Sequence, residues 1–410
     1  MPDAPITTTC CVTGGGPAGM MLGFLLARAG VDVVILEKHA DFFRDFRGDT
    51  IHPSTLELMH ELGLLDRFLQ LPHQKLERIT VQVGDQNLQM VDLTHLPTQC
   101  KYVALMPQWD FLNFIAACAK RYPCFDLRMQ TEATDLIEEN GRVVGVRANG
   151  PHGELAIRAD LVVAADGRHS TLRARAGLQS DDYGAPMDVL WFRLPRRDSD
   201  QTATFGHIEM GAMLIMLNRD DYWQCAFVIP KGGIERVKAA GLEAFRGRVV
   251  EMSPYLADRI SELKNWDDIK LLSVTVDRLQ KWWLPDFLCI GDAAHAMSPI
   301  GGVGVNLAVQ DAVAAANQLA APLKARTLST NDLQAVQDRR MFPVRATQWL
   351  QLMMQNRIIS RALSGVQQPK PPLLFKLLNA IPLLRRIPAR FLGLGVRPEH
   401  IHTPDVLSTS

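Results

Sequence analysis

The residues from Cys10 to Glu37 restrict the fold more than any other stretch of the chain. Cys10 to Thr13 is a short β-prone run that enters GGGPAG, where Gly14, Gly16 and Gly19 fill G-x-G-x-x-G. Leu22, Leu25, Leu26 and Ala29 follow at helical spacing, and Gly30 ends the helix. The next apolar run, Val31 to Leu36, stops at Glu37. Strand, glycine turn, helix, strand and acid in this order make a βαβ unit that binds a dinucleotide. The first glycine permits the tight turn, the second lets a pyrophosphate approach, and the third lets the helix pack on the sheet. Glu37 is the expected partner of an adenosine ribose, and Lys38 beside it is a further cofactor-binding candidate.

A second stretch, CIGDAAHAMSPIGGVGVNLAVQD from Cys289 to Asp311, repeats the strand–turn–helix pattern with different chemistry. A strand over Phe287–Ile290 meets Gly291-Asp292, a loop carries Pro299, Gly301, Gly302 and Gly304, and an Ala-rich helix begins near Val305. Asp292 can accept hydrogen bonds from a sugar hydroxyl. The glycines let backbone N–H groups approach a flat ligand, and the helix N-terminus favours negative charge there. The plain alternative is an ordinary connection of an α/β domain.

Between them the chain reads in segments. FRGDTIHPSTLELMHELGLLDRF places Arg47-Gly48 in a polar loop before a helix opened by Pro53 and Ser54. Arg47 is either a surface charge or, buried beside a phosphate, a bidentate anchor. Alternation from Ile79 to Leu93 predicts exposed antiparallel strands that leave the first domain. Gln108 precedes a helix. Leu127–Leu136, Val143–Arg147 and Glu154–Arg158 read as a β-meander, with turns at Asn140-Gly141 and Asn149-Gly150. Leu161–Ala165 is a buried strand ending in Asp166-Gly167. Four β-prone runs, Val189–Leu194, Thr202–Met210, Met213–Asn218 and Tyr222–Ile229, predict an antiparallel sheet. Residues 234–264 have helical patterning, and Leu271–Leu279 is strand-like. Beyond the Ala-rich helix the remainder reads as helical, including Met341–Leu363 and the Pro-bounded segment Pro371–Phe391. Lys370, Lys376, Arg385, Arg386 and Arg390 make that tail basic.

A chain of 410 residues calls for two or three lobes. Its zero formal net charge supplies no global field for nucleic acid. The seven cysteines, Cys10, Cys11, Cys100, Cys118, Cys124, Cys225 and Cys289, form no CxxC pair, so small reduced core residues are expected, with neither disulfides nor zinc. No metal site is expected. The N-terminus lacks the basic and apolar regions of a signal, and no run of about eighteen apolar residues is present. A cytoplasmic protein is expected.

Together GGGPAG with Glu37, DGRHSTLR at Asp166–Arg173 and GDAAHAMSPIGGVGVN at Gly291–Asn306 resemble the motifs of the class A flavoprotein monooxygenases, the family of para-hydroxybenzoate hydroxylase. The resemblance covers roughly residues 8 to 345. It implies a mixed α/β fold: a Rossmann-like FAD-binding domain from 1–75, 100–180 and 280–345, an inserted antiparallel substrate sheet from 76–99 and 181–279, and a helical C-terminal region from 346–410. It implies that Gly14, Gly16 and Gly19 cradle the FAD pyrophosphate, that Glu37 holds the adenosine ribose, and that Arg47 and Gln108 contact FAD. Asp166 and Gly167 are tied to FAD and NAD(P)H, Gly291 and Asp292 to the ribityl or pyrophosphate region of FAD. Pro299, Gly301, Gly302, Gly304, Val305 and Asn306 border the isoalloxazine ring, with no side-chain base among them. The implied activity is hydroxylation of an aromatic or polyketide-like molecule with NAD(P)H and O2, through a flavin C4a-hydroperoxide.

Only one G-x-G-x-x-G stands in βαβ context, which argues against disulfide reductases and Baeyer–Villiger enzymes. WFRLP at Trp191–Pro195 does not fit the W-x-W-x-I-P of flavin halogenases. Asp49, Trp191, Arg193, Met213 and Trp223 are the candidate substrate contacts, each also compatible with core packing. His207 is read as structural or exposed, and His295 as a packing residue or the donor of a backbone hydrogen bond. Two alternatives stand beside the hydroxylase. One is a quinone-precursor or isoprenoid hydroxylase touching a membrane through 370–395; the other is a non-catalytic binding module of the same fold.

Overall fold

The structure, a computed structural model, describes residues 6–43, 49–200, 205–365 and 371–408. Strand β1 (Ile6–Thr13) leads into α1 (Pro17–Arg28) and β2 (Val33–Leu36). Helix α2 (Pro53–Glu61) follows, then the hairpin β3 (Arg78–Val83) and β4 (Gln86–Asp92). Helix α3 (Gln108–Ala119) returns the chain to β5 (Phe125–Arg128). A meander of β6 (Glu132–Glu139), β7 (Arg142–Gly150) and β8 (Gly153–Ala164) comes next.

The two runs read at 154–158 and 161–165 are one strand. Its start pairs antiparallel with β7, from Gly150↔Gly153 to Gly145↔Arg158. From Ile157 onward it also pairs parallel with β1, ending at Thr13↔Ala164. The run read as Leu127–Leu136 is instead divided: β5 pairs parallel with β2, whereas β6 belongs to the meander.

Four strands of the second sheet follow: β9 (Met187–Pro195), β10 (Phe205–Glu209), β11 (Ala212–Asn218) and β12 (Tyr222–Pro230). Helix α4 (Leu242–Met252) covers one face of that sheet, and β13 (Lys270–Leu272) edges it. The sheet order is β13-β9-β12-β11-β10-β3-β4, so the early hairpin crosses over and β3 runs parallel to β10. The run read at Leu271–Leu279 is split, because its second half, Asp277–Leu279, pairs with Ser180–Asp182 instead.

Strand β14 (Phe287–Cys289) re-enters the first sheet beside β8. Helices α5 (Gly304–Ala325), α6 (Thr330–Met354), α7 (Leu373–Ala380) and α8 (Arg386–Leu394) complete the chain. The predicted helix at 341–363 is interrupted by a π-helical turn over Gln355–Ile359.

The parallel strands place the site. β14, β8, β1 and β2 are adjacent and parallel, and all end at the same edge. Gly14 N donates to Leu36 O (2.7 Å), Ala165 N to Thr13 O (2.8 Å) and Ile290 N to Ala164 O (3.0 Å). The three glycine-bearing motifs thus leave the carboxyl ends of three neighbouring strands, where open α/β sheets bind ligands. Helix α1 buries ten of its twelve residues, which fixes the first turn between the sheet and α5.

Candidate functional site

Three glycines in the first turn have distinct roles. Gly14 sits at φ +101°, where a side chain is strained, and a Cβ there would lie 2.4 Å from Ala165 O. A Cβ on Gly19 would lie 2.0 Å from Gly14 O, so this position closes α1 onto the turn. A Cβ on Gly16 meets nothing within 4 Å. Gly16 is the N-cap of α1 and supplies no side-chain cap, so the backbone N–H groups of the first turn beyond Pro17 have no capping side chain. That is the fit expected of a pyrophosphate.

Glu37 is buried at the end of β2. Its carboxylate accepts from Gly15 N (2.9 Å) and His39 N (3.0 Å), which orients it beside the turn. Lys38, one residue on, faces the surface and lies 3.9 Å from Glu132. Arg47 lies outside the described residues. Gln108 opens α3 and donates through its backbone to Asp49.

Two arginines join the second motif to the third. Asp166 accepts from Thr171 N (2.9 Å), while its other oxygen is buried with no partner among the described residues. Burial pushes this carboxyl up, against the pull of its hydrogen bonds around Ser170. Gly167 stands at φ +89°, with open space where a Cβ would be. Arg173 donates to Arg168 O (2.9 Å), Asp277 Oδ2 (3.3 Å) and Ala293 O (3.3 Å). Arg168 approaches Asp292 Oδ2 at 3.5 Å, leaving that carboxylate partly open.

The third motif is held by charges that its sequence does not announce. Asp311, fully buried on α5, accepts from Gly291 N (3.0 Å), His295 Nε2 (2.5 Å) and Arg340 Nε (2.8 Å). Burial raises its carboxyl, but His295 and Arg340 outweigh that and hold it below the usual carboxylate range. Arg340 also meets Glu399 Oε1 at 3.2 Å, beside Arg339 at 2.8 Å. His295 is thus a buried ring packed beside Trp282, as one of the two expectations had it, and its hydrogen bond goes to a carboxylate instead of the backbone. Gly291 (φ +59°), Gly301 (φ +77°) and Gly302 (φ +63°) occupy left-handed backbone.

Thr50 Oγ1 donates to Gly302 O at 2.9 Å, and a Cβ on Gly302 would collide with it at 2.5 Å. His52, almost wholly buried, sets Nε2 3.1 Å from Gly302 O and Nδ1 2.8 Å from Leu392 O on α8. A neutral imidazole has one N–H for these two carbonyls, and burial keeps the ring in that neutral form by lowering its pKa. Pro299 begins the turn, Val305 is buried, and Gly304 opens α5 with no side-chain neighbour within 4 Å of a notional Cβ. The Asn306 side chain is turned away from this opening. Its Oδ1 accepts from Ser54 Oγ (2.8 Å) and Thr55 Oγ1 (2.7 Å) on α2, which leaves its backbone as the part at the helix start.

The second sheet has two faces. One carries Leu190, Phe192, Trp223, Cys225 and Phe227, packed against Phe245 and Val249 of α4. The other carries Val189, Trp191, Met213, Ile215, Ala226 and Val228, and it meets Ile300 of the third motif. Trp191, Arg193 and Met213 thus share the motif-facing side. Trp223 does not: it is fully buried on the α4 side, and its Nε1 donates to Asp200 at 2.9 Å. The register explains this, since Arg193 pairs with Gln224 and Leu194 with Trp223, one step out of phase.

Asp49 lies at the polar end of the motif-facing side. It accepts from Gln224 Nε2 (2.5 Å) and lies 3.1 Å from Arg219. Arg219 also bonds Gln224 Oε1 (3.0 Å), while its Nη1 is buried without a partner among the described residues. Burial raises the Asp49 carboxyl, against the pull of Arg219. The Arg193 guanidinium stacks 5.0 Å over Tyr222 beside them. His207 is buried, bonded to Met252 O (2.6 Å) and Glu209 (3.1 Å).

Cys10, Cys11, Cys225 and Cys289 are buried thiols whose pKa burial raises, to about 12 for Cys11. Among the described residues no His, Cys, Asp and Glu group could hold a metal, and no helix is long and apolar enough to cross a membrane.

Residues 7–349 match the FAD binding domain family. The chain belongs to that family. The monooxygenase is 32% identical over 384 residues to the 6-methylpretetramide 4-monooxygenase of Streptomyces rimosus, covering 93% of this chain and 92% of that one. It is 27% identical to a rifampicin monooxygenase of Streptomyces venezuelae, covering 73% of this chain and 61% of that one. Among solved structures it resembles p-nitrophenol 4-monooxygenase of Pseudomonas putida, with TM-score 0.76, 21% identity and coverage of 94% and 97%. The enzyme is an FAD-dependent hydroxylase. These relatives favour that reading over a non-catalytic module or a quinone-precursor hydroxylase.

Proposed function

We propose that the enzyme uses NAD(P)H and O2 to hydroxylate a phenolic, fused-ring compound of polyketide type. One observation carries the substrate class. The wall formed by Trp191, Met213, Ile215, Ala226 and Val228 is apolar and faces Ile300, yet it ends in the buried Asp49–Arg219–Gln224 group. An extended aromatic substrate with an acidic hydroxyl or enol at one end matches a face of this polarity. The relative named for 6-methylpretetramide supports the same class.

The chain's own groups divide the work. The open N-terminus of α1 at Gly16 binds the pyrophosphate, and Glu37 takes the ribose. Asp292, restrained by Arg168, holds the ribityl chain. The N-terminus of α5 at Gly304 would favour negative charge on a ring held beside it. Bound FAD supplies hydride acceptance from NAD(P)H and activation of O2. Overall, substrate C–H, O2, NAD(P)H and a proton give C–OH, water and NAD(P)+. The apolar sheet face excludes water from the reacting centre. Arg219 Nη1, without a partner among the described residues, donates to the substrate oxyanion, while Asp49 sets the arginine's direction.

The test is a panel of tetracyclic and simpler phenols offered to FAD-loaded enzyme, following NAD(P)H oxidation and product mass under 18O2. A stimulating compound should yield a product carrying one labelled oxygen atom. NAD(P)H oxidation that releases only hydrogen peroxide across the panel would count against the substrate class. Protein that takes up no FAD would count against the whole reading.

A further inference from the structure

The C-terminal hairpin of α7 and α8, with its turn Pro382–Arg385, is apolar on two sides. Its inner side buries Phe375, Leu378 and Ala389 against Leu88, Met90 and Leu93. Its outer side exposes Leu373 (73%), Leu374 (56%), Leu377 (41%), Ile381 (44%), Leu383 (63%) and Ile387 (68%). Six of the thirteen exposed large hydrophobics among the described residues therefore lie within one short segment, too concentrated to be scattered surface residues. A surface helix pair of a globular protein keeps its outer face polar, so something apolar covers this one.

Charge selects the occupant. From residue 371 to 398 the sequence contains no Asp or Glu, and Lys376, Arg386 and Arg390 are exposed. A two-fold contact with a second copy would set these cations against their own equivalents. Anionic headgroups above an acyl layer match both the cations and the aliphatic face. We propose that the outer face of this hairpin docks on a bilayer surface rich in anionic lipid. The placement has a use. Leu392 of α8 bonds His52 through its carbonyl, and its side chain borders Gly301. A docked hairpin therefore lies between the lipid and the ring-facing loop, and an apolar substrate dissolved in the bilayer enters beside that loop.

The experiment is flotation of full-length, FAD-loaded enzyme with phosphatidylcholine vesicles, with and without phosphatidylglycerol. It needs no turnover, so it can fail while the hydroxylase reading stands. The enzyme should float with the phosphatidylglycerol vesicles and be released by salt. The triple variant Lys376→Gln/Arg386→Gln/Arg390→Gln should weaken partitioning about 100-fold, at roughly a factor of five per cation. Leu374→Ser/Leu377→Ser/Ile387→Ser should abolish flotation while FAD content and melting temperature are kept. Equal binding to neutral vesicles, or no flotation of the unaltered enzyme, would overturn the proposal. So would a dimer in light scattering that the serine variant dissociates while flotation is absent.

Discussion

Asp311 carries more of the site than its place in mid-helix suggests. Its carboxylate is the common partner of the Gly291 N–H, His295 and Arg340, with no solvent to replace any of them. Asp311→Asn removes the carboxylate partner of buried His295 and leaves Arg340 only Glu399, which costs about 3–5 kcal/mol. A large drop in melting temperature with faster FAD release is expected; unchanged values would contradict the network. Because the folded-state carboxyl is held below its ordinary value, its contribution is complete at neutral pH and is lost as pH falls through that depressed value. His52 gives a contribution in a different window. Its folded-state pKa is lowered by burial, so stability declines as pH drops from the ordinary imidazole value toward the lower folded one. His52→Gln should remove that slope from a series of melting temperatures against pH. Neither role was legible in the sequence, where His295 reads as a packing residue and Asp311 only as the end of a motif. The partners that define them, Arg340 and Leu392, arrive from distant helices.

The elements were more readable, because each motif is a consecutive strand, turn and helix. The glycine turns can be separated experimentally. Gly16→Ala adds a methyl to open space, so it should leave the apo-protein's melting temperature unaltered while weakening FAD binding. Gly19→Ala drives a Cβ into Gly14 O and should destabilise the fold itself. Equal thermal losses in both would remove the distinction. The second sheet obeys a simple alternation that the sequence reading did not phase correctly across strands. Trp191 and Trp223 both looked like candidates, but the pairing Leu194↔Trp223 sends the second to the α4 side. Trp223→Ala should cost about 3–5 kcal/mol through the cavity it opens. Trp191→Ala should chiefly raise KM, or uncouple NAD(P)H oxidation from product. A reversed pattern would exchange the two faces.

At the scale of the whole molecule, the fold class, the FAD-binding unit and the helical C-terminal region follow from local patterns, and the structure has them. The long-range closures do not follow, since pattern carries no record of which distant charges meet. The tail is the clearest case. His400 and the Ile401 N–H bond Glu61, Arg28 bonds Thr403 and approaches Asp405 at 3.6 Å, and Glu399 meets Arg340. A chain ending at Gly395 should therefore melt lower and lose FAD faster, read by flavin fluorescence; equal retention would make the tail dispensable. Glu399 also orders events in time. During synthesis the Gly291 loop and Arg340 leave the ribosome before the residue that completes their charge. A nascent chain thus carries all three glycine turns in place but an unfinished clamp beneath one of them. Firm cofactor capture should therefore wait until the Glu399 segment has folded back onto Arg340.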